Sequence, residues 1–352
     1  MSDAVASPER VVVRPPNWLG DAVLALPALA AMRAAFRDAE LTVAAPAGVA
    51  AIFREDTDAA PDHVLELPQS RAGVTAALKG GRFSVAVLLP NSFRSAWQVW
   101  RAGIPARWGF ATSGRGPLLT RRARRPPRTA VLHQADYYRA LAAGLGMPAD
   151  PDRLPSLRPS HASLARAEAL LAERHVPASA PLVGLAPGAA YGQAKQWPPE
   201  RMAALAARLV TETGATCVLL GAAYDRQAAR AIESWLRAQA PDAADRVVDL
   251  VGRTSLGALV GVAARTRVVV SNDSGAMHLA AAVGRPVVAL FGPTNERATR
   301  PLGDHDVLLE EVFCRPCMLR DCPIDHRCMK RLTVDRVFEA VRRRLAAPAT
   351  EA

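Results

Sequence analysis

Short apolar runs alternate along the chain with longer segments in which apolar residues recur every three or four positions. The runs of the first half include RVVVR, LTVAA, HVLEL and FSVAVLLP, and those of the second half are PLVGLAPG, TCVLLGA, RVVDLVG, RVVVSND and PVVALFG. Runs of this kind predict buried strands, and the segments between them, such as PPERMAALAARLVTETG, predict helices. Strands that alternate with helices indicate parallel sheets with right-handed crossovers.

The proline-rich segment GMPADPDRLPSLRPS interrupts this alternation, and its weak periodicity is typical of a linker. A chain of 352 residues is long enough for two domains that each bury a core. We therefore predict an α/β protein with two doubly wound, Rossmann-like domains that face each other across a cleft. The predicted boundaries are 1–160 for the N-terminal domain, 161–335 for the C-terminal domain and 336–352 for a final helix and tail.

The first strand–helix junction carries a carboxylate where a phosphate-binding loop would be expected. Asp21 directly follows Gly20, at the point where RVVVR gives way to a helix. A dinucleotide-binding turn would show G-x-G-x-x-G here, and that pattern is absent. A carboxylate in this place is either a candidate general base or a residue that the helix dipole favours in a first turn.

The segment VVVSNDSGAMHLAAAVGRPVVALFGPT gives the strongest local signal. Asn272 and Asp273 follow a strand and are natural N-cap residues. Ser274 and Gly275 then open a helix whose free N–H groups favour an anion such as a phosphate. His278 lies in the first turns of the same helix and can reach the same ligand. An ordinary capped helix is the alternative interpretation.

A second junction, GLAPGAAYGQAKQWPPERMAALA, leads from a strand through small residues to Lys195. Small side chains let a ligand approach the backbone, and a lysine is a compact point charge that suits a diphosphate. Taken alone, the segment also fits a solvated loop lysine. Two anion-binding junctions in one domain are what a nucleotide diphosphate requires, and this pairing favours the functional interpretation.

The formal net charge of +11 is spread unevenly, because no Asp or Glu lies between Leu67 and Ala135. The basic residues of that segment are Arg71, Lys79, Arg82, Arg94, Arg101, Arg107, Arg115, Arg121, Arg122, Arg124, Arg125 and Arg128. Such a field favours an anionic partner, which could be a phosphorylated lipid, a membrane surface or a nucleic acid. Arginines on ordinary solvated faces are the alternative.

Targeting signals are not evident in the sequence. MSDAVASPER lacks the basic and apolar regions of a secretory signal, and no apolar stretch reaches the roughly 18 residues that span a bilayer. We therefore expect a cytoplasmic protein, with peripheral association at the inner face of the inner membrane as a further option.

Four cysteines form a late cluster with the spacing C-x2-C-x4-C-x5-C. They are Cys314, Cys317, Cys322 and Cys328. In a cytosolic context thiols or a metal site are expected instead of disulfides. The first spacing suits a structural Zn²⁺, whereas the irregular later spacings favour thiols without a metal, which is our expectation.

The stretches NWLGDAVLALPAL, PGAAYGQAKQWP, SNDSGAMHLAAAVGRPVVALFG and CRPCMLRDCPIDHRCM occur together in this chain. In combination they resemble the heptosyltransferases of lipopolysaccharide inner-core synthesis, most closely the heptosyltransferase II branch of glycosyltransferase family 9. LPNSFRSAW is similar to the same branch, and the resemblance runs from about Arg10 to Val341. It implies a GT-B fold and inverting transfer of L-glycero-D-manno-heptose from ADP-heptose, without a cofactor or a catalytic metal.

The resemblance also implies roles for individual residues. It makes Asp21 the general base that deprotonates the acceptor hydroxyl. It implies a donor site formed by Lys195, Asp273, Ser274, Gly275 and His278. In that site Lys195 would hold the diphosphate of the departing ADP and Asp273 the heptose, with Ser274 and Gly275 at the phosphates and His278 in support.

The implied acceptor is an anionic lipid, heptosyl-Kdo2-lipid A at a membrane surface. The acid-free segment would face it, and we expect Arg94, Arg107 and Arg115 to contact it. No nucleic acid and no stable protein partner are expected.

Two other functions fit parts of the sequence. Another family 9 transferase, either heptosyltransferase I-like or specific for a different nucleotide sugar, would share these motifs. A basic nucleic-acid-binding protein with a zinc cluster would use RRARRPPR and the cysteines, but that stretch is short and lacks interleaved aromatic residues.

Overall fold

Residues 9–127 and 131–347 are described by a computed structural model, and the chain divides between Arg158 and Pro159 into two units. Each unit is built around its own parallel sheet. In the ranges described, no helix combines the length and the apolar character needed to cross a bilayer.

The strands of the first unit are β1 (Arg10–Arg14), β2 (Glu40–Pro46), β3 (Asp56–Thr57), β4 (His63–Leu67), β5 (Val85–Leu88), β6 (Ala106–Phe110), β7 (Arg121–Ala123) and β8 (Leu157–Arg158). Its helices are α1 (Leu19–Leu24), α2 (Leu26–Ala35), α3 (Ala47–Ala50), α4 (Arg71–Gly80), α5 (Phe93–Arg101) and α6 (Gln134–Gly144). The main sheet has the order β4-β2-β1-β5-β6-β7 with parallel pairs, and β3 pairs separately with β8 in antiparallel fashion.

Strand β1 lies in the middle of this sheet, and its position explains its sequence. Val11 pairs with Leu41 on one side and with Val85 on the other, and all of Val11–Val13 is buried. A central parallel strand is covered on both faces, so its residues are apolar without alternation. From β1 the chain adds β2 and β4 toward one edge of the sheet, and from β5 it adds β6 and β7 toward the other edge. The carboxyl ends of β1 and β5 are therefore the topological switch point of the sheet.

The strands of the second unit are β9 (Leu182–Ala186), β10 (Thr216–Leu219), β11 (Val247–Asp249), β12 (Val268–Asn272), β13 (Val287–Phe291) and β14 (His305–Leu309). Its helices are α7 (His161–Glu173), α8 (Pro199–Thr213), α9 (Arg226–Gln239), α10 (Pro241–Ala244), α11 (Leu256–Arg265), α12 (Gly275–Ala282), α13 (Glu296–Thr299), α14 (Arg327–Lys330) and α15 (Val334–Ala346). The strand order β11-β10-β9-β12-β13-β14 is also parallel and places the switch point between β9 and β12.

The last helix, α15, packs into the core of the second unit. Phe338 and Val341 are fully buried there with Val183 of β9 and with Trp197. The Trp197 indole N–H donates to the main-chain oxygen of Leu332 at 3.0 Å, so its polar atom is satisfied inside the core. Residues 348–352 of the predicted tail lie outside the described residues.

The apolar runs predicted as strands all form strands, and the structure adds the internal strand β6, the edge strands β7 and β14, and the short pair β3 and β8. The predicted helix LALPALAAMRAAF begins earlier, at Leu19, and is divided at Ala25 into α1 and α2. Pro27 at the start of α2 lacks an N–H group and cannot continue the hydrogen bonds of the preceding turn.

Candidate active site

Lys195 and Asp273 form a buried ion pair at the switch point of the second sheet. The Lys195 Nζ lies 2.6 Å from Asp273 Oδ2, and the hydroxyl of Thr294 donates to the same oxygen at 2.7 Å. The side chain of Lys195 is 12% exposed and that of Asp273 is 5% exposed. Charged groups this far from water are held in one geometry by their partners. The loop after β9 and the loop after β12 are thereby fixed to each other.

Asn272 makes a second connection between these loops. Its side-chain amide donates to the main-chain oxygen of Pro187 at 2.7 Å, and its Oδ1 accepts from the main-chain N–H of Trp197 at 3.0 Å. The predicted capping role of Asn272 and Asp273 is therefore wrong. Asn272 ends strand β12, and Ser274 is the N-cap residue of the following helix.

The N-terminus of α12 is open. Ser274 has an extended backbone and makes no side-chain cap hydrogen bond with the residues that the structure describes. Ser274 and Gly275 are half-buried, and His278 is buried one turn further on. Because the first N–H groups of a helix have no partner within it, an anion of a ligand can accept from them. The sequence-predicted donor residues Lys195, Asp273, Ser274 and Gly275 therefore converge at one edge of the sheet.

The cysteine-rich loop, residues 312–326, packs against the loop after β9 that carries Lys195. The N–H of Ala194 donates to the main-chain oxygen of Arg320 at 2.9 Å, and the ring Nε2 of His326 lies 2.7 Å from the oxygen of Ala194. Gly192 fits against Arg320 so closely that a Cβ would stand 2.4 Å from the Arg320 oxygen. Sequence reasoning missed this contact, because spacing along the chain does not reveal which loops touch.

The cysteines themselves are unequally exposed. Cys328 is buried, and its pKa is raised by burial and by the neighbouring thiols, whereas Cys317 and Cys322 are exposed. Within residues 9–127 and 131–347, no group of three or more His, Cys, Asp or Glu side chains is arranged to hold a metal ion.

Asp225 is a further buried carboxylate that the sequence did not reveal. It accepts from the main-chain N–H of Ala222 at 2.9 Å, and burial raises its pKa. It also fills the space beside Gly188, where a Cβ would stand 1.9 Å from Asp225 Oδ1. The glycine in the loop after β9 is therefore required by close packing.

Asp21 occupies the switch point of the first sheet, in the first turn of α1. It is half-buried, and the hydroxyl of Tyr138 on α6 donates to its Oδ1 at 3.3 Å. Burial, followed by the negative charge of Asp21, raises the pKa of Tyr138 well above its ordinary value. Tyr138 therefore stays protonated and keeps its role as a donor. The sequence gives no sign of this partner, which is 117 residues away.

Polar side chains from the next loops continue this edge of the first sheet. Asn91 follows β5 and donates to the hydroxyl of Tyr137 at 2.8 Å, and Thr112 after β6 donates to the main-chain oxygen of Asn91 at 3.3 Å. The guanidinium of Arg125 lies 5.5 Å from the centre of the Tyr137 ring. The edge thus combines one carboxylate with hydroxyl, amide and cationic groups.

The three arginines predicted to contact the acceptor have different surroundings. Arg94 is exposed. Arg107 is half-buried and donates to nearby main-chain oxygens. Arg115 is fully buried, donates to the main-chain oxygens of Phe110 and Pro90, and has its pKa lowered to about 10 by burial. The structure therefore places Arg115 as a support of the loop after β5, out of reach of a surface ligand.

Comparison with known proteins places this architecture in one family. Residues 71–327 match the family model for glycosyltransferase family 9 (heptosyltransferase). Lipopolysaccharide heptosyltransferase 2 of Salmonella typhimurium is 33% identical over 311 residues, which cover 83% of this chain and 85% of that protein. The lipopolysaccharide heptosyltransferase 2 of Escherichia coli K12 matches with the same identity and coverage.

Solved structures share the fold over nearly the whole chain. The structure of E. coli ADP-heptose LPS heptosyltransferase II superposes with a TM-score of 0.80 at 28% identity, covering 96% of this chain and 98% of that one. An E. coli heptosyltransferase with ADP-2-deoxy-2-fluoro heptose superposes with a TM-score of 0.67 at 21% identity, covering 95% and 99%. The two Rossmann-like units are accordingly those of a GT-B glycosyltransferase. By its sequence and its fold, the chain belongs to glycosyltransferase family 9, the heptosyltransferases.

Proposed function

We propose that this chain transfers L-glycero-D-manno-heptose from ADP-heptose to the heptosyl-Kdo2-lipid A inner core of lipopolysaccharide, with inversion at the anomeric carbon. This proposal is supported mainly by two features of the structure. Lys195, Asp273 and the open N-terminus of α12 lie together at the switch point of the second sheet, and Asp21 lies at the switch point of the first sheet. The names of the relatives, lipopolysaccharide heptosyltransferase 2, support the choice of sugar and pathway.

In this proposal, the second unit binds the donor ADP-heptose through positively charged groups. The ammonium of Lys195 and the first N–H groups of α12 offer positive charge to the diphosphate of ADP-heptose. Asp273 Oδ2 accepts from Lys195 and Thr294, and in this proposal the carboxylate also accepts from a hydroxyl of the heptose. When the bond between the anomeric carbon and the diphosphate oxygen breaks, ADP leaves as an anion, and these groups stabilise the charge that develops.

The acceptor half rests on Asp21. Its carboxylate takes the proton of the attacking hydroxyl while the hydroxyl oxygen forms the new bond to the anomeric carbon from the opposite side. Inversion requires such a base on the acceptor side, and by analogy with inverting glycoside hydrolysis the transition state carries oxocarbenium character. The hydrogen bond from Tyr138 holds the carboxylate in place. Because the acceptor is a lipid, this chemistry would take place at a membrane surface.

A transfer assay tests the proposal. The purified protein is incubated with ADP-heptose and with Kdo2-lipid A acceptors that carry zero or one heptose, and the masses of the products are measured by mass spectrometry. We expect the mass of one heptose to be added to the acceptor that already carries one. Addition to the heptose-free acceptor instead would indicate heptosyltransferase I activity. Absence of transfer to either, in a protein that binds ADP, would mean that the sugar or the acceptor is a different one.

A further inference from the structure

Helix α5 exposes a row of large aromatic side chains. Ser95, Ala96, Gln98 and Val99 of this helix are buried against the sheet. On the other side, Phe93, Trp97 and Trp100 are 47%, 43% and 43% exposed. We call these three residues the aromatic face.

The rings of the aromatic face contact one another. The centres of Phe93 and Trp97 are 6.1 Å apart, and those of Trp97 and Trp100 are 4.8 Å apart. They form a continuous apolar strip on the surface of the first unit, and contiguous exposed apolar surface marks an interaction site. Rings that pack on each other also differ from the open stacking platforms on which nucleic-acid bases lie.

Exposed cations lie on α5 and on the neighbouring helix α4. Arg94 and Arg101 are exposed on α5 itself, and Arg71, Lys79 and Arg82 are exposed on and just after α4. Helices α4 and α5 pack side by side on the same face of the sheet, where Val74 and Leu78 of α4 share a core with the buried residues of α5. Among the residues that the structure describes, none of these five cations has a carboxylate within salt-bridge distance. The patch therefore carries a net positive charge that neighbouring side chains do not compensate.

We propose that the aromatic face and its flanking cations dock onto an anionic lipid bilayer. Tryptophan rings favour the headgroup region, where one part of the ring meets hydrocarbon and the N–H meets water. Lysine and arginine beside an amphipathic helix are attracted to anionic headgroups. An acidic protein surface would satisfy the cations, but a lipid surface satisfies the cations and the tryptophans together. The inference goes beyond the transfer reaction and holds whichever sugar is transferred.

Vesicle flotation tests this surface. The protein is mixed with vesicles of phosphatidylcholine alone or of phosphatidylcholine rich in phosphatidylglycerol, and the fraction that floats is measured. The variants are the double substitution W97Q/W100Q and Arg101→Gln. Their controls lie in the second unit: Tyr224→Gln, which alters an aromatic residue that is 66% exposed, and Arg237→Gln, which alters the basic residue in the last turn of α9.

The parent protein should float with the anionic vesicles only, and added salt should release it. The double substitution should lower the partition coefficient at least about tenfold, and Arg101→Gln about fivefold. Both controls should float as the parent protein does. Thermal unfolding of each variant shows whether it is folded, and the lipid and salt dependence of the parent protein tests the proposal without any variant.

A parent protein that ignores anionic vesicles would overturn the proposal, as would a folded double variant that floats unchanged. A parent dimer that W97Q/W100Q converts to a monomer, without vesicle binding, would assign the face to a second copy of the chain and also overturn it. Transfer to a water-soluble, deacylated acceptor separates the two proposals, because it should be unchanged in the double variant. If the parent protein does not transfer heptose to the deacylated acceptor, the proposed transfer function is refuted, whereas the proposal of a docking surface is unaffected.

Discussion

At the residue scale, Lys195 is expected to contribute both to stability and to ligand binding. It forms an ion pair with Asp273, and it lies at the same edge of the sheet as the N-terminus of α12. Removing one member of a buried ion pair leaves the other charge uncompensated, which destabilises a protein. The same change removes a positive charge from the place where a diphosphate is expected to bind.

We expect Lys195→Met to lower the affinity for ADP at least about tenfold, since charge-assisted hydrogen bonds are the strong ones in such sites. It should also lower the melting temperature. Isothermal titration calorimetry with ADP and thermal unfolding measure the two effects. Lys330→Met, at an exposed lysine of α14, is the matched control and should leave both unchanged. An unaltered ADP affinity in Lys195→Met would remove Lys195 from the donor site.

Tyr138 donates a hydrogen bond to Asp21, so if Asp21 is the general base, substitution of Tyr138 should change the pH dependence of transfer. A hydrogen bond donated to a carboxylate favours the charged form, so its loss makes the carboxylate easier to protonate. In Tyr138→Phe the acidic limb of the kcat/KM profile should therefore move to higher pH by about half a unit to one unit. Tyr224→Phe should leave the profile in place. A uniform loss of rate with an unshifted profile would assign Tyr138 a packing role only.

The sequence predicted Asp21, Lys195 and Asp273 because each follows an apolar run, at a junction that strand–helix periodicity locates. Tyr138, Asp225 and His326 could not be predicted in this way. Their roles depend on contacts between distant segments: α6 with α1, the loop after β10 with Gly188, and the cysteine-rich loop with Ala194. Such contacts follow from the packing of the whole unit and leave no local pattern.

At the element scale, the loop that carries Lys195 is held at both ends. Asp225 packs against Gly188 at its beginning, and the cysteine-rich loop contacts Gly192 and Ala194 near its end. Small residues in this loop were expected to make room for a ligand. The structure shows that two of them make room for neighbouring protein groups.

Gly192→Ala should therefore disturb the donor site without removing any functional group. The added Cβ would stand 2.4 Å from the main-chain oxygen of Arg320, so one of the two loops must move. We expect weaker ADP binding, by about three- to tenfold, from loss of pre-organisation, together with lower stability. Gly48→Ala in α3 is the control, since a Cβ there meets nothing within 4 Å, and alanine is the better helix former by roughly 1 kcal/mol. ADP binding by Gly192→Ala equal to that of the parent protein would show that the loop contact does not position Lys195.

The edge strands β7 and β14 were not predicted from the sequence because they lack a continuous apolar run. Central strands such as β1 and β9 are apolar throughout, whereas β7 consists of RRA and β14 begins with HD. An edge strand is exposed along one side, so polar residues are compatible with it and charge discourages further pairing. RRARRPPR contributes β7 to the sheet, and the part of it that reaches Arg128 lies outside the described residues.

At the scale of the whole molecule, the two units have the same strand order but different chemistry at their switch points. The first sheet presents the carboxylate Asp21 after its central strand β1, and the second presents Lys195 after the equivalent strand β9. On the proposed mechanism, this difference accounts for the absence of a glycine-rich phosphate loop at Gly20, because the turn after β1 would bind the acceptor hydroxyl and the second sheet would bind the diphosphate.

This division of charge predicts that transfer does not depend on a divalent cation. We expect the N-terminus of α12 and the N–H donors of Lys195 to stabilise the departing diphosphate, while the ion pair of Lys195 with Asp273 keeps that carboxylate from repelling it. Initial rates should therefore be unchanged after treatment with EDTA. A rate that collapses with EDTA and recovers with Mg²⁺ would contradict this assignment of the leaving-group charge.

We propose above all that catalysis and donor binding are divided between Asp21 in the first unit and Lys195 in the second. The most direct measurement compares Asp21→Asn with the parent protein in two assays, single-turnover transfer of heptose and calorimetric binding of ADP. The predicted result is a transfer rate about 10²- to 10⁴-fold lower, the usual contribution of a general base, with an unchanged ADP affinity. A transfer rate close to that of the parent protein, or a loss of ADP affinity equal to the loss of rate, would contradict it.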